Sequence, residues 1–263
     1  MEHTAKSPPI ASRASPTPYR LGHGTLSPLT LGLVSCGGIG ALLFTALYLL
    51  EGATRPGYDA WQQPISALSL GSGGWAQQVN FIVYGALLVL SAVGWYRFLT
   101  PVRGAIWFPL LQGVAGLCLI GAGVFSTDPF PGYPPGVTPG SATLHGTLHG
   151  IFAWVLILAL AMGCFAFATL VRAAQGSPQS TQGRGWFIYS LVTGILILIF
   201  WGAFLDGASG NITGLAPLAG LTERLSALSH DLWLCVLTMG LVIQHRSRSS
   251  RPSTAGDSTD GAR

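Results

Sequence analysis

Long runs of apolar residues recur six times along the chain and are separated by shorter polar segments. The runs cover residues 29–50, 76–99, 105–126, 147–171, 186–205 and 228–244. Each is close to the ~20 residues that a helix needs to cross ~30 Å of hydrocarbon. None has an Asp, Glu, Lys or Arg in its middle third. The pattern predicts an all-α, polytopic membrane protein, built as a six-helix transmembrane bundle.

Composition supports this class. Charged residues make up only 8% of the 263 residues, whereas a soluble domain carries about 25%. We therefore predict a membrane domain over residues 29–244. The flanking residues 1–28 and 245–263 are rich in Ser, Pro, Arg and Gly, which predicts two disordered tails. The arginines of the second tail adjoin a span, so they favour anionic lipid headgroups as partners and no nucleic acid.

The distribution of basic residues predicts the orientation of the bundle. With six spans, eleven of the thirteen Lys and Arg residues fall on one side of the membrane, and only Arg55 and Arg224 fall on the other. Because basic residues accumulate in cytoplasmic loops, both termini are expected in the cytoplasm of a multi-pass cell-membrane protein. The outward side then collects most of the polar chemistry: Glu51, Asp59, Asp128, His145, His149, Asp206, Glu223, His230 and Asp231.

The first outward loop carries Trp61 and Trp75 around the segment Pro64-Ile-Ser-Ala-Leu-Ser. Pro64 suits the first turn of a short helix, and the glycines at 71, 73 and 74 suit its termination. Three interpretations fit this loop. It forms an interfacial or re-entrant helix, it is an aromatic belt at headgroup depth, or it is a lid over an outward cavity.

Two histidines open the fourth span at a helical spacing. His145 and His149 are four residues apart, which places both imidazoles on one face. Together with His230 they could supply three nitrogens for a divalent metal such as zinc, with Asp128 or Glu223 as a further ligand or general base. Alternatively, the histidines only form hydrogen bonds with loops, headgroups or a neighbouring helix.

Asp128 and Arg224 offer a structural alternative to a metal centre. Partly buried charges near an interface need partners, so these two residues are a candidate ion pair between outward loops. In that case His145 would donate a hydrogen bond to a loop carbonyl. The third span carries Gly113, Gly116, Gly121 and Gly123, which predicts a close-packed helix at the centre of the bundle.

The segments Gly123-Val-Phe-Ser-Thr-Asp-Pro and Gly220-Leu-Thr-Glu-Arg-Leu, with the His145 start of the fourth span, resemble the domain of unknown function 998 (DUF998) family. The likeness extends over about residues 29–244 and implies a prokaryotic integral membrane protein with about six spans and no established activity. It points to Ser66, Asp128, His145 and Arg224 as pattern residues, and adds Ser66 to Asp128 and Glu223 as candidate catalytic groups.

Two functions remain open at this stage. One is a structural or binding component of the membrane with an outward polar site at helix ends, in contact with membrane lipids. The other is a membrane-embedded, metal-dependent hydrolase of a lipid or envelope substrate. Ion-coupled transport is disfavoured because the centres of the apolar runs lack ionisable residues. The sequence leaves open the substrate, a protein partner and a homo-oligomer.

Overall fold

The computed structural model describes residues 26–99, 104–174, 181–210 and 214–249. Most of both predicted tails therefore lies outside the described residues. Six α-helices follow one another along the chain: α1 Pro28–Thr54, α2 Gly74–Leu99, α3 Trp107–Val124, α4 Leu144–Ala174, α5 Thr181–Ser209 and α6 Ala219–Ser249. Each is long and apolar enough to cross a membrane. The prediction of an all-α, six-span protein is confirmed.

The helices form a closed ring in sequence order. Each helix packs against its neighbours in the chain, and α6 closes the ring by packing against α1. The outside of the ring is apolar, as lipid requires: Leu42, Leu117 and Met239 each expose more than three fifths of their surface. The third span is close-packed as predicted, but it lies in the ring between α2 and α4 and not at a centre.

The two ends of the ring differ in their connections. One end, here the loop end, carries the three longer connections, residues 55–73, 125–143 and 210–218, with 3₁₀ helices at Ile65–Ser69 and Ala216–Leu218. The opposite end, here the terminal end, carries the start of α1 and the end of α6. Neighbouring helices are antiparallel: in α2 and α3, for example, Gly85 meets Gly116 while Gln78 meets Gly123.

The terminal half of the ring is filled by aromatic side chains. Trp95, Phe108, Phe167 and Trp233 are at most 5% exposed. Their ring centroids lie 5.2–6.2 Å apart, in edge-to-face arrangements that aromatic pairs prefer. The Trp233 indole donates a hydrogen bond to Ser190 at 2.9 Å, so its one polar atom is satisfied. This aromatic cluster closes the terminal half of the interior.

The sixth helix begins nine residues earlier than the apolar run predicts, at Ala219 and not at residue 228. It also continues to Ser249, so the second predicted tail begins later than residue 245. Within the longer helix, His230 and Asp231 fall in the middle third. The expectation that no span carries an ionisable residue in its middle third is therefore wrong for α6. The helix starts earlier than the apolar run because the polar residues of its first turns have partners in the first loop, described below.

Candidate functional site

The connection between α1 and α2 folds over the loop end and docks on the start of α6. We define the lid as residues 58–69, which include the 3₁₀ helix. The backbone N–H groups of Gly220 and Leu221 donate to the carbonyls of Gln62 and Trp61 at 3.1 and 3.0 Å. The first N–H groups of a helix have no acceptor inside the helix. These bonds give the two N–H groups of α6 an acceptor and the two lid carbonyls a donor. A Cβ at position 220 would collide with the Gln63 carbonyl, so only glycine permits this approach.

Two adjacent side chains of α6 then bind the lid backbone. One donates to its carbonyls, and the other accepts one of its N–H groups. The Arg224 guanidinium donates to the carbonyls of Ala60 and Gln63 at 2.8 and 2.9 Å, and to Gly220 on its own helix at 2.8 Å. The Glu223 carboxylate accepts the N–H of Ile65. Arg224 is only 6% exposed. Because charge-assisted bonds are the strong ones, this pair is the main polar attachment of the lid.

Tyr58 connects this attachment to the connection between α3 and α4. Its hydroxyl accepts a hydrogen bond from Arg224 and lies 3.0 and 2.9 Å from the Gln63 and Pro64 carbonyls. Its ring meets Tyr133 edge to face at 5.3 Å. Burial raises the pKa of the Tyr58 phenol, while the Arg224 guanidinium opposes that rise. Tyr58 therefore stays a neutral hydrogen-bonding group.

Beneath the lid lies a cavity of about 80 Å³. All six helices and the lid contribute to its walls, and it occupies the loop-end half of the ring, above the aromatic cluster. The lining is mainly apolar, with side chains such as Phe81, Leu119 and Ile157. Its polar residues are few: Ser66, Tyr84, His149, Glu223 and Asp231. A mainly apolar cavity with a few convergent polar groups is the usual form of a small-molecule site.

Asp231 lies at the deep end of the cavity and is 4% exposed. Its Oδ1 accepts from the Tyr84 hydroxyl at 2.6 Å, and its Oδ2 accepts from Thr45 at 2.9 Å. His230 Nδ1 lies 3.4 Å from Oδ1, beyond the 2.7–2.9 Å or so of a charge-assisted N–H···O bond. The partners of this carboxylate are thus two hydroxyl groups and one distant imidazole.

The three histidines of the predicted metal site have different surroundings. His149 is 5% exposed, and its Nδ1 lies 3.0 and 2.8 Å from the Ala122 and Phe125 carbonyls. Because carbonyls only accept, Nδ1 carries the proton and Nε2 keeps its lone pair. His145 is exposed, with its ring against Phe125. Among the described residues, no three His, Cys, Asp or Glu side chains are grouped so that they could hold a metal.

The predicted ion-pair partners Asp128 and Arg224 contact different groups. Asp128 accepts from the Thr143 N–H at 3.1 Å and from its hydroxyl at 2.6 Å. Thr143 in turn accepts the Gly146 N–H at 3.0 Å, which caps the start of α4. Arg224 is committed to the lid. The salt bridges of the described residues include none between Asp128 and Arg224.

Of the three interpretations of the loop that carries Pro64, the lid fits the observed contacts best, because this segment covers the cavity. Ile65 and Leu68 are buried, at 3% and 0% exposure, and Ser66 lines the cavity. Trp61 and Trp75 remain exposed, at 61% and 66%, as expected of side chains at headgroup depth. The sequence analysis did not connect Asp231 with Glu223. Their spacing of eight residues, with Ala227 midway, places both on one helix face and was the available signal.

The family model described as Protein of unknown function (DUF998) matches residues 38–240. The match covers all six helices in part or in full and includes the lid, the cavity and the start of α6. It confirms the resemblance seen in the sequence. No curated protein and no solved structure matches the chain.

Proposed function

Because the chain belongs to the DUF998 family, whose description assigns no function, we propose a role from the site itself. The protein is a membrane-embedded binding component that holds a small, mainly apolar molecule in the cavity beneath the lid. The observation that supports this role is that residues of all six helices and the lid line one space, where the centre of the ring is not fully packed. Protein interiors are close-packed, so a cavity with converging polar groups argues for an occupant.

The size of the cavity limits this occupant. One water molecule needs a cavity of roughly 10–15 Å³. A cavity of about 80 Å³ therefore accommodates a few waters or a short alkyl chain with one polar group. Pockets that bind drug-sized ligands have volumes of about 300–1,000 Å³. The occupant is therefore a small molecule or the end of a longer amphiphile.

A cavity-filling substitution tests the binding role. Ala153 lines the cavity, and Ala153→Leu adds three carbon atoms to it. We expect at least one of n-butanol, n-butyrate and n-butylammonium to raise the thermal unfolding midpoint of the purified protein, since a ligand that binds only the folded state stabilises it. The substitution should remove that shift. Differential scanning fluorimetry in detergent measures it.

The matched control is Ala86→Leu, because Ala86 is exposed on the outside of α2. This variant should keep the full ligand-induced shift. If none of the three compounds shifts the wild-type midpoint, or if both variants respond like the wild type, the cavity is not a binding site and the proposal fails.

The loop end is the outward end in this proposal, as the basic residues indicate. Arg97 and Arg172 lie in the last turns of α2 and α4, at the terminal end. Positive charge there favours a cytoplasmic position. The lid and the mouth of the cavity then face outward, so the occupant comes from outside the cell or from the outer leaflet.

Cysteine labelling tests the orientation. Ser141→Cys places a thiol in the connection at the loop end, and Ala173→Cys places one on the exposed surface of the last turn of α4, at the terminal end. A membrane-impermeant maleimide should label the first variant in intact cells and the second only after permeabilisation. The native cysteines all lie in helices, and the wild-type protein serves as the background control. The reverse labelling pattern would invert the topology.

One observation keeps the hydrolase as a second candidate. The His149 Nε2 lone pair belongs to a ring that lines the same cavity as Glu223 and Ser66. A hydrolase of this kind would bind zinc through His149, the one of the three predicted histidine ligands that lines this cavity. Elemental analysis should then find zinc in the purified protein and its loss in His145→Ala with His149→Ala. Equal metal content in the wild type and the double variant would eliminate this candidate.

A further inference from the structure

The charges that line the cavity define the kind of molecule it takes. Two lining residues are carboxylates, Glu223 and Asp231, and the lining includes no Lys or Arg. The two lie eight residues apart on α6, about 12 Å along the helix axis at ~1.5 Å per residue. They therefore mark the lid end and the deep end of one apolar chamber, whose lining has acidic side chains and no Lys or Arg.

The two carboxylates are not equally compensated. Glu223 lies next to Arg224 and accepts a backbone N–H from the lid. Asp231 has Tyr84 and Thr45 as donors, both neutral, and the His230 imidazole lies 3.4 Å from its Oδ1. A carboxylate in the middle third of a membrane-spanning helix is costly and marks functional sites, where it pairs with another group. Among the described residues that line the cavity, there is no Lys or Arg beside Asp231.

Two of the lining residues have acceptor atoms with spare capacity, and the Ser66 hydroxyl can accept as well as donate. His149 Nε2 keeps a lone pair, and Asp231 Oδ2 accepts only one described bond, from Thr45. The donors around Asp231 are already used, since Tyr84 donates to Oδ1. Trp201 also lines the cavity, and its buried Nε1–H has no partner among the described residues. With two carboxylates and no Lys or Arg in its lining, the cavity favours a positively charged hydrogen-bond donor.

We infer that the occupant carries a primary ammonium group, which binds Asp231 at the deep end, on a short alkyl stem that lies along the apolar walls. The inference rests on the proposed binding function and names its ligand class. An ammonium donates three hydrogen bonds and has no acceptor, so it matches this set of groups. A carboxylate or phosphate in the same place would be repelled by Glu223 and Asp231.

A series of probes of one size tests the inference on the full-length wild-type protein. n-Butylammonium, n-butanol and n-butyrate share a four-carbon stem and differ in the polar group. Thermal midpoints measured over a concentration series give the apparent affinity of each. We expect n-butylammonium to bind about tenfold more tightly than n-butanol, the value of one charge-assisted bond, and n-butyrate to bind least.

Two variants locate the charge that selects the ammonium. Asp231→Asn keeps a carbonyl oxygen and the size of the side chain, so the preference for n-butylammonium over n-butanol should fall to about one, while n-butanol binding persists. Glu223→Gln should reduce the preference less, because Glu223 is partly compensated. If Asp231→Asn does not fold, the wild-type probe series decides alone. An unchanged preference in a folded Asp231→Asn protein would overturn the assignment to Asp231.

Two further measurements distinguish an alkylammonium from an inorganic cation and from a lipid headgroup. Sodium chloride at matched chloride concentration should produce no shift, and an equal shift would assign the site to an inorganic cation. Phosphoethanolamine should not bind, because its phosphate would share the chamber with Glu223 and Asp231. Its binding would indicate a lipid headgroup as the source and overturn the alkylamine.

The outcomes distinguish the two proposals. If n-butanol and n-butylammonium bind equally and Ala153→Leu abolishes both, the binding function stands and the ammonium inference fails. If no probe produces a shift that Ala153→Leu removes, both fail together. Ala227→Leu, which fills the cavity from α6 between the two carboxylates, provides a second blocking variant.

Discussion

Replacing Arg224 with methionine is expected to lower the free energy of unfolding by about 3–5 kcal/mol. The guanidinium donates to three backbone carbonyls and to Tyr58, and it is nearly fully buried. Methionine keeps much of the volume but donates nothing, so the Ala60 carbonyl loses its described donor and the Gln63 carbonyl keeps only Tyr58. A buried acceptor without a partner costs about 1–3 kcal/mol. The thermal midpoint, followed by tryptophan fluorescence in detergent, measures the loss.

Two controls accompany this prediction. Arg55→Met removes the other cation of the loop end, which donates to Glu51 and to the Gly73 carbonyl, and should cost about 1 kcal/mol because ion pairs with some solvent access contribute little. Arg224→Lys keeps the charge but not the planar set of five donors, so its cost should fall between those of the other two variants. Equal midpoints for Arg224→Met and Arg55→Met would show that Arg224 does not hold the lid.

Gly85→Ala is expected to destabilise the ring by about 1–3 kcal/mol, although alanine favours helix formation over glycine. A Cβ at Gly85 would lie 2.5 Å from the Gly116 carbonyl oxygen, and a Cβ at Gly116 would lie 2.6 Å from the Gly85 oxygen. The two glycines thus let the backbones of α2 and α3 touch. One methyl group at either position forces the helices apart. The thermal midpoint again measures the effect.

Gly202→Ala is the matched control, since it adds the same methyl group in α5 where no atom lies within 4 Å. It should leave the midpoint unchanged or raise it, because alanine gains up to about 1 kcal/mol over glycine in a helix. A midpoint drop as large as that of Gly85→Ala would mean that helix formation, and not the contact of α2 with α3, controls the result.

The six spans were predictable because the composition of each helix reflects the lipid around it. The start of α6 was not, because its first turns carry Thr222, Glu223 and Arg224. Hydropathy measures the cost of moving such residues out of water, but it does not register partners that remove the cost. Here those partners belong to the lid, more than 150 residues away in the chain.

The candidate site was predictable as a set of residue types but not as a set of contacts. Glu223, Arg224, Ser66 and His149 were identified from the sequence, and the structure places all four at the lid or the cavity. Their pairing was not predictable. Asp128 and Arg224 carry opposite charges, yet they do not pair. Asp128 binds Thr143, and Arg224 binds carbonyls of the lid. The spacing of His145 and His149 fixes a shared helix face, but it does not show that His149 bonds to carbonyls at the end of α3.

The aromatic cluster has a consequence for the timing of binding. Because Trp95, Phe108, Phe167 and Trp233 fill the terminal half, an occupant of the kind proposed that enters from the loop end has to pass the lid. Its residence time would then be bounded by how often the lid detaches from Glu223 and Arg224, whatever the walls contribute to affinity. In the proposed function, such an occupant would leave on the side from which it was loaded.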